Sequence, residues 1–248
     1  MTSKGTAAGL VDWRTVERLT ALIPAGPSAS RSARASSVAV LRRSALEAPA
    51  WVARITGLNR AAQQVAETTR VSVVDRAGLV RVSTRALRGL MEQVPAPQAS
   101  EAVRLVGAAE MAGAMSLLAT RLLGQVVPAA GTGADGDVGR EGEASPHLLL
   151  VAPNVLAMRR QLDLDMLDLP AWVCLHEMTH AVQLAAAPWL GPYLSDSMRM
   201  VIGAVVEAVY GGPGGGADGG RGSRASGGGR GGLRASRREQ AGGVCSRG

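Results

Sequence analysis

The chain is mainly α-helical, of the α+β class: a helical domain with a few short strands over residues 1–210, then a disordered tail over 211–248. Three observations predict this. Apolar residues recur at helical spacing through most of 1–210, and the segments that read as strands are short, near 71–83 and 147–151. Trp172 to Leu184 contains no breaker and reads as one helix. From Gly211 onward, sixteen of 38 residues are Gly and seven are Arg, with Leu233 and Val244 almost the only apolar side chains. Such a segment cannot bury enough surface to offset the entropy of ordering it.

The elements follow in order. Residues 10–24 place Val11, Val16, Leu19 and Ile23 near helical spacing, and 35–57 continue as a second amphipathic helix, broken at Pro49. Residues 71–83 alternate β-branched side chains around Arg76-Ala77-Gly78, which predicts a short hairpin or a strand and turn. Thr84 to Gln93 returns to helical spacing. Residues 100–123 form the longest apolar helix, with Val103, Val106, Gly107, Gly113, Ala114, Leu117 and Leu118 on the expected core face. Glu110 falls on that face, either reaching solvent at its edge or serving as a partner to a metal site. The Gly-rich acidic stretch 129–146 reads as a mobile surface loop. His147 to Val151 is a buried strand, and Ala152-Pro153-Asn154 turns the chain into a helix over 155–162.

Composition narrows the function classes. The chain has no Phe, two Tyr and four Trp, so its core is built from Leu, Val, Ala and Met. Lys4 is the single Lys against 26 Arg, and the scarcity of residues with A/T-rich codons points to a G/C-rich bacterial genome. Of the net +7, residues 211–248 carry +5, with seven Arg against Asp218 and Glu239. The body is therefore nearly neutral, and any affinity for nucleic acid belongs to the tail. Cys174 and Cys245 give no disulfide framework. The first ten residues lack an apolar leader core and no run of 18 apolar residues occurs, so a cytoplasmic location with no membrane partner is expected.

The most specific feature is His176-Glu177-Met178-Thr179-His180, an H-E-x-x-H pentad within the 172–184 helix. Positions i and i+4 share a helix face, so His176 and His180 can bind one zinc while Glu177 flanks the open coordination site. Zinc lowers the pKa of a bound water to about 7, and Glu177 in reach of it is the candidate general base. Two of the chain's three His stand at ligand spacing, against the alternative of two polar positions on a half-exposed helix. Catalytic zinc usually takes three protein ligands. Gln183 and Ala186 occupy the places where the extended H-E-x-x-H-x-x-G-x-x-H motif needs its Gly and last His. The carboxylates between the pentad and the tail are Asp196 and Glu207; Glu207, in the apolar stretch 200–210, is the candidate third ligand, or else an ordinary surface Glu. His147 is a strand-edge His or, alternatively, a ligand.

GLVDW (9–13), ITGL (55–58), VVDRAGLVRV (73–82), LLGQ (122–125), LLLVAPNV (148–155) and WVCLHEMTHAVQ…PWL (172–190) occur in this order. The set resembles a family of actinobacterial zincin-like proteins, described as zinc-dependent metalloproteases or as proteins associated with biosynthesis of the deazaflavin redox coenzyme. The resemblance spans residues 9 to about 200. It implies a mostly helical zincin-type fold with His176 and His180 as zinc ligands and Glu177 as general base, and it names no substrate; a peptide or protein substrate is the expectation from the H-E-x-x-H site. An alternative it leaves open is a non-catalytic interaction or assembly protein linked to that coenzyme. Family members run further past the pentad into helices that include a Leu-Glu-Gly type segment, a source for the third ligand. Here a Gly/Arg-rich tail stands in that place, and its composition is what a G/C-rich gene gives when translated out of frame. The expectation is a domain that is C-terminally incomplete and weakly active. The rival for the tail is RNA binding by charge, although no aromatic side chain is interleaved for stacking.

Overall fold

Eight α-helices and five short strands make up the described residues, in the order β1 (Gly5–Thr6), a 3-10 turn (Ala7–Leu10), α1 (Trp13–Thr20), α2 (Arg31–Thr56), α3 (Asn59–Thr68), β2 (Arg70–Val74), α4 (Arg76–Glu92), β3 (Pro95–Ala96), α5 (Glu101–Arg121), β4 (Gly124–Val127), β5 (His147–Val151), α6 (Ala152–Gln161), α7 (Asp168–Ala186) and α8 (Leu190–Tyr210). The structure, a computed structural model, describes residues 5–127 and 146–210. The expected loop before His147, save Pro146, and the tail 211–248 lie outside the described residues.

β5 organises the domain. It pairs in parallel with β2 and antiparallel with β4, giving the order β2-β5-β4. Its continuous apolar run is explained by burial on both faces. Leu148 and Leu150 join a core made with α2, α3, α6 and α7, through Leu41, Val52, Val65, Val155, Val173 and Met178. Leu149 and Val151 point the other way, into a cluster with Leu79 of α4. A second core gathers the chain start, the end of α4, α5 and α8 around Leu10, Val16, Met91, Ala108, Ala112 and Val206.

Three local expectations are corrected. The segment 71–83 is not a hairpin: β2 ends at Val74, and Asp75 caps α4 through its Oδ1, which accepts from Gly78 N at 2.6 Å. The β-branched Val80 and Val82 are helical because Leu79 and Val80 find core partners, so packing outweighs β-propensity. α2 runs unbroken through Pro49. Leu41, Ala45, Ala48 and Val52 bury one stripe on both sides of the proline, and that packing offsets a missing hydrogen bond that costs about 3 kcal/mol. On α5 the buried face is Ala108, Ala112, Met115 and Ala119, while Val106, Leu117 and Leu118 are exposed. Close helix contact selects the small side chains: a Cβ at Gly107 would meet the Leu10 carbonyl at 2.6 Å. Glu110 is exposed, which is the solvent-reaching reading. α5 also has the length and hydropathy of a membrane span by composition alone; it packs its alanine face on its neighbours, and 22% of that apolar window is buried.

Asn154, 3% exposed, ties four segments together. Its Nδ2 donates to Ala119 O (2.8 Å) and Leu122 O (2.7 Å), and its Oδ1 accepts from Arg76 Nε (2.7 Å). Arg76 Nη1 reaches on to Pro24 O at 2.9 Å. Asn154→Ala removes the side-chain donor to the Ala119 and Leu122 carbonyls and one of the two acceptors of Arg76, and is expected to lower stability by about 2–3 kcal/mol in urea denaturation. A loss below about 0.5 kcal/mol would contradict this role.

Candidate metal centre

The sequence builds α7 with two unlike faces. Leu169, Pro170, Val173, Cys174, Met178, Ala181 and Val182 are buried, Val173, Cys174, Met178 and Val182 in the core shared with α2, α3 and β5. Trp172, His176, His180 and Gln183 form a line on the exposed side, at spacings of four, four and three residues that stack them along one face. Expected start and stop signals hold: Asp168 and Pro170 lie in the first turn, and the helix ends before Pro188.

The two imidazoles converge. His176 Nε2 and His180 Nε2 are 3.3 Å apart, with the rings nearly perpendicular at 88°. Two nitrogens bound to one tetrahedral zinc at about 2.0–2.1 Å are separated by about 3.3–3.4 Å, so the pair fits the ion the motif implies. Each ring is steadied by a helix neighbour that the motif alone does not reveal. Trp172 stacks on His176 with centroids 5.3 Å apart and planes 18° from parallel. Gln183 Oε1 lies 3.2 Å from His180 Nδ1, so a proton on Nδ1 is held there and the lone pair of Nε2 is left for a metal. Their signal in the sequence was spacing from the two His.

Glu177 sits at the boundary between the two faces, half-buried, with its side chain over the first residue of β4, Gly124. Burial pushes its carboxyl pKa up, and the adjacent His176 and His180 pull it the other way. Cys174 is wholly buried, its Sγ 3.5 Å from Leu41 O. Burial, then the charge of Glu177, pushes this thiol up to about 12. Cys174 is expected to stay unmodified by a maleimide at pH 8 in the folded chain and to react on unfolding, read by peptide mapping that separates it from Cys245; rapid native labelling at Cys174 itself would contradict its placement.

The remaining candidates are not brought to the pair. Glu207 is exposed on α8, where its neighbour Val206 packs into the second core with Leu10 and Ala108. The amphipathic stretch that suggested a ligand turns its buried side to that core, and α8 is not among the elements packed closely on α7. Asp196 pairs with Arg199 on the same helix. His147 Nε2 is 2.8 Å from Ser72 Oγ on β2, and burial followed by the charge of Arg70 lowers its pKa. Among the described residues, no three His, Cys, Asp or Glu side chains come together as a metal site.

No curated protein matches the sequence. The crystal structure of a Chloroflexus aurantiacus protein described as "a putative hydrolase with a novel fold" is similar at a TM-score of 0.50 and 22% identity. The match covers 75% of this chain and 57% of that one, so the present chain spans a little over half the length of that relative. The family model of zincin-like metallopeptidases matches residues 11–208, which include every helix from α1 to α7, the pentad and nearly all of α8. The chain belongs to the zincin-like metallopeptidase family.

Proposed function

We propose that the chain is a zinc-dependent peptide hydrolase in which His176 and His180 hold the metal and Glu177 is the general base. The observation that carries this reading is the 3.3 Å approach of the two Nε2 atoms, on rings close enough to Glu177 for their charges to act on its carboxyl. Zinc bound there supplies Lewis-acid polarisation of a carbonyl and acidifies water. Glu177 accepts a proton at its carboxylate, and its upward-shifted pKa brings it nearer a neutral working pH, where a base is most effective. Trp172 and Gln183 hold the ligand rings in place before any metal arrives.

An extended peptide suits the surroundings. Among the described residues β4 is paired on one side only, with β5, and α7 packs against it. A substrate adding along the open edge of β4 would run beside Glu177, using backbone hydrogen bonds with little demand on sequence. The location we propose is cytoplasmic.

A second reading is a non-catalytic zincin-fold interaction protein, tied to deazaflavin coenzyme metabolism. It is favoured by one observation, that two and not three ligands assemble among the described residues. Hydrolysis of a mixed peptide pool, followed by mass spectrometry with zinc and after chelation, separates the two. Zinc-dependent cleavage supports the hydrolase; intact peptides under both conditions support the interaction protein.

A further inference from the structure

Gly124 is buried at the start of β4, and its backbone does not call for glycine, because the positive-φ glycines among the described residues are Gly26 and Gly57. Glycine also weakens a strand, having no side chain to pack. Space explains it. A Cβ at this position would lie 2.7 Å from Glu177 Cγ, 3.0 Å from Glu177 Cδ and 3.1 Å from the Leu149 carbonyl oxygen. Leu149 is locked in the ladder, where β5 pairs with β4 through Gln125↔Leu149 and Gly124↔Leu150. Glu177 is the group free to move.

The geometry points to Gly124 as the positioning residue of the site: its missing Cβ is the slot in which the Glu177 side chain rests, and any side chain there displaces the carboxylate. The catalytic consequence rests on the reading of Glu177 as base. Displacing a reacting group by about 1 Å costs on the order of a hundredfold in rate. The slot also keeps the base at a fixed height beside the edge of β4, so one residue couples the strand proposed to seat substrate with the group proposed to act on it.

A four-member thermal-unfolding cycle tests this on the full chain at saturating zinc: wild type, Gly124→Ala, Glu177→Ala and the double variant. Gly124→Ala is expected to lower Tm by about 5 °C, the cost of overpacking a tight contact in a domain of this size. In the Glu177→Ala background the same change is expected to cost less than half as much, because Cγ and Cδ are gone and only the Leu149 carbonyl remains close. Where the wild type hydrolyses peptide, the folded Gly124→Ala variant is expected to lose kcat with KM unchanged; equal Tm losses in both backgrounds, no loss in either, or an unchanged kcat would overturn the assignment. If Gly124→Ala alone does not fold, a folded double variant supports the slot and an unfolded one overturns it. The base assignment fails by a separate route, undiminished hydrolysis by Glu177→Gln, so the two ideas can be told apart.

Discussion

Glu177→Gln is expected to cut zinc-dependent peptide hydrolysis by at least about a hundredfold while zinc content stays that of wild type. The amide keeps the shape of the side chain over Gly124 but cannot take a proton, and general-base assistance is worth about that factor. The metal is retained because the two converging nitrogens belong to His176 and His180. Stability adds a signed check in the metal-free chain. Burial raises the Glu177 pKa above its ordinary 4.5, so the stability it contributes is present below that value and is lost as pH rises through the folded-state value. The Gln variant lacks this loss and should gain stability relative to wild type on going from pH 4 to pH 7. Loss of zinc in the variant would make Glu177 a ligand and would contradict the proposed division of roles.

His176→Ala and His180→Ala are each expected to weaken zinc binding by more than about a hundredfold and to abolish hydrolysis. Removing one nitrogen from a two-His pair leaves one described ligand, and even the loss of groups that merely orient a ligand costs about 10–100-fold in affinity. The folded state should survive, since both rings are exposed and the buried face of α7 is untouched. Zinc competition with a chromophoric chelator gives the affinity, and circular dichroism checks the fold. Equal zinc binding in wild type and both variants would contradict the assignment of the pair.

How far the sequence reveals this site depends on distance along the chain. The His pair and Glu177 lie within five residues on one uninterrupted helix, so helical geometry alone fixes their relative placement, and the start and stop residues of α7 are local signals too. β5 is equally local: after His147, four consecutive apolar residues, Leu148 to Val151, are buried on both faces. What spacing cannot convey is which neighbour arrives. Gly124 stands 53 positions before Glu177 and carries no local mark of its role, because its role is the absence of an atom in another element's way. The buried face of α5 differs from the one its large apolar residues mark for a related reason. Large apolar side chains mark a core face when the partner is distant, but Gly107, Ala108 and Ala112 pack close against the chain start and Ala119 packs with Val80 of α4, leaving Leu117 and Leu118 outside. Glu207 illustrates the same limit, since an apolar helix carrying one carboxylate looks alike whether its buried side meets the metal pair or, as here, the second core.

The most direct test of the central claim is X-ray absorption at the zinc edge on the zinc-loaded full chain, beside His176→Ala and His180→Ala. The account predicts one zinc per chain with imidazole nitrogens at about 2.0–2.1 Å, two of them from this pair, and loss of imidazole scattering in each variant. A chain that binds no zinc, or whose zinc spectrum is the same in wild type and both variants, would contradict it.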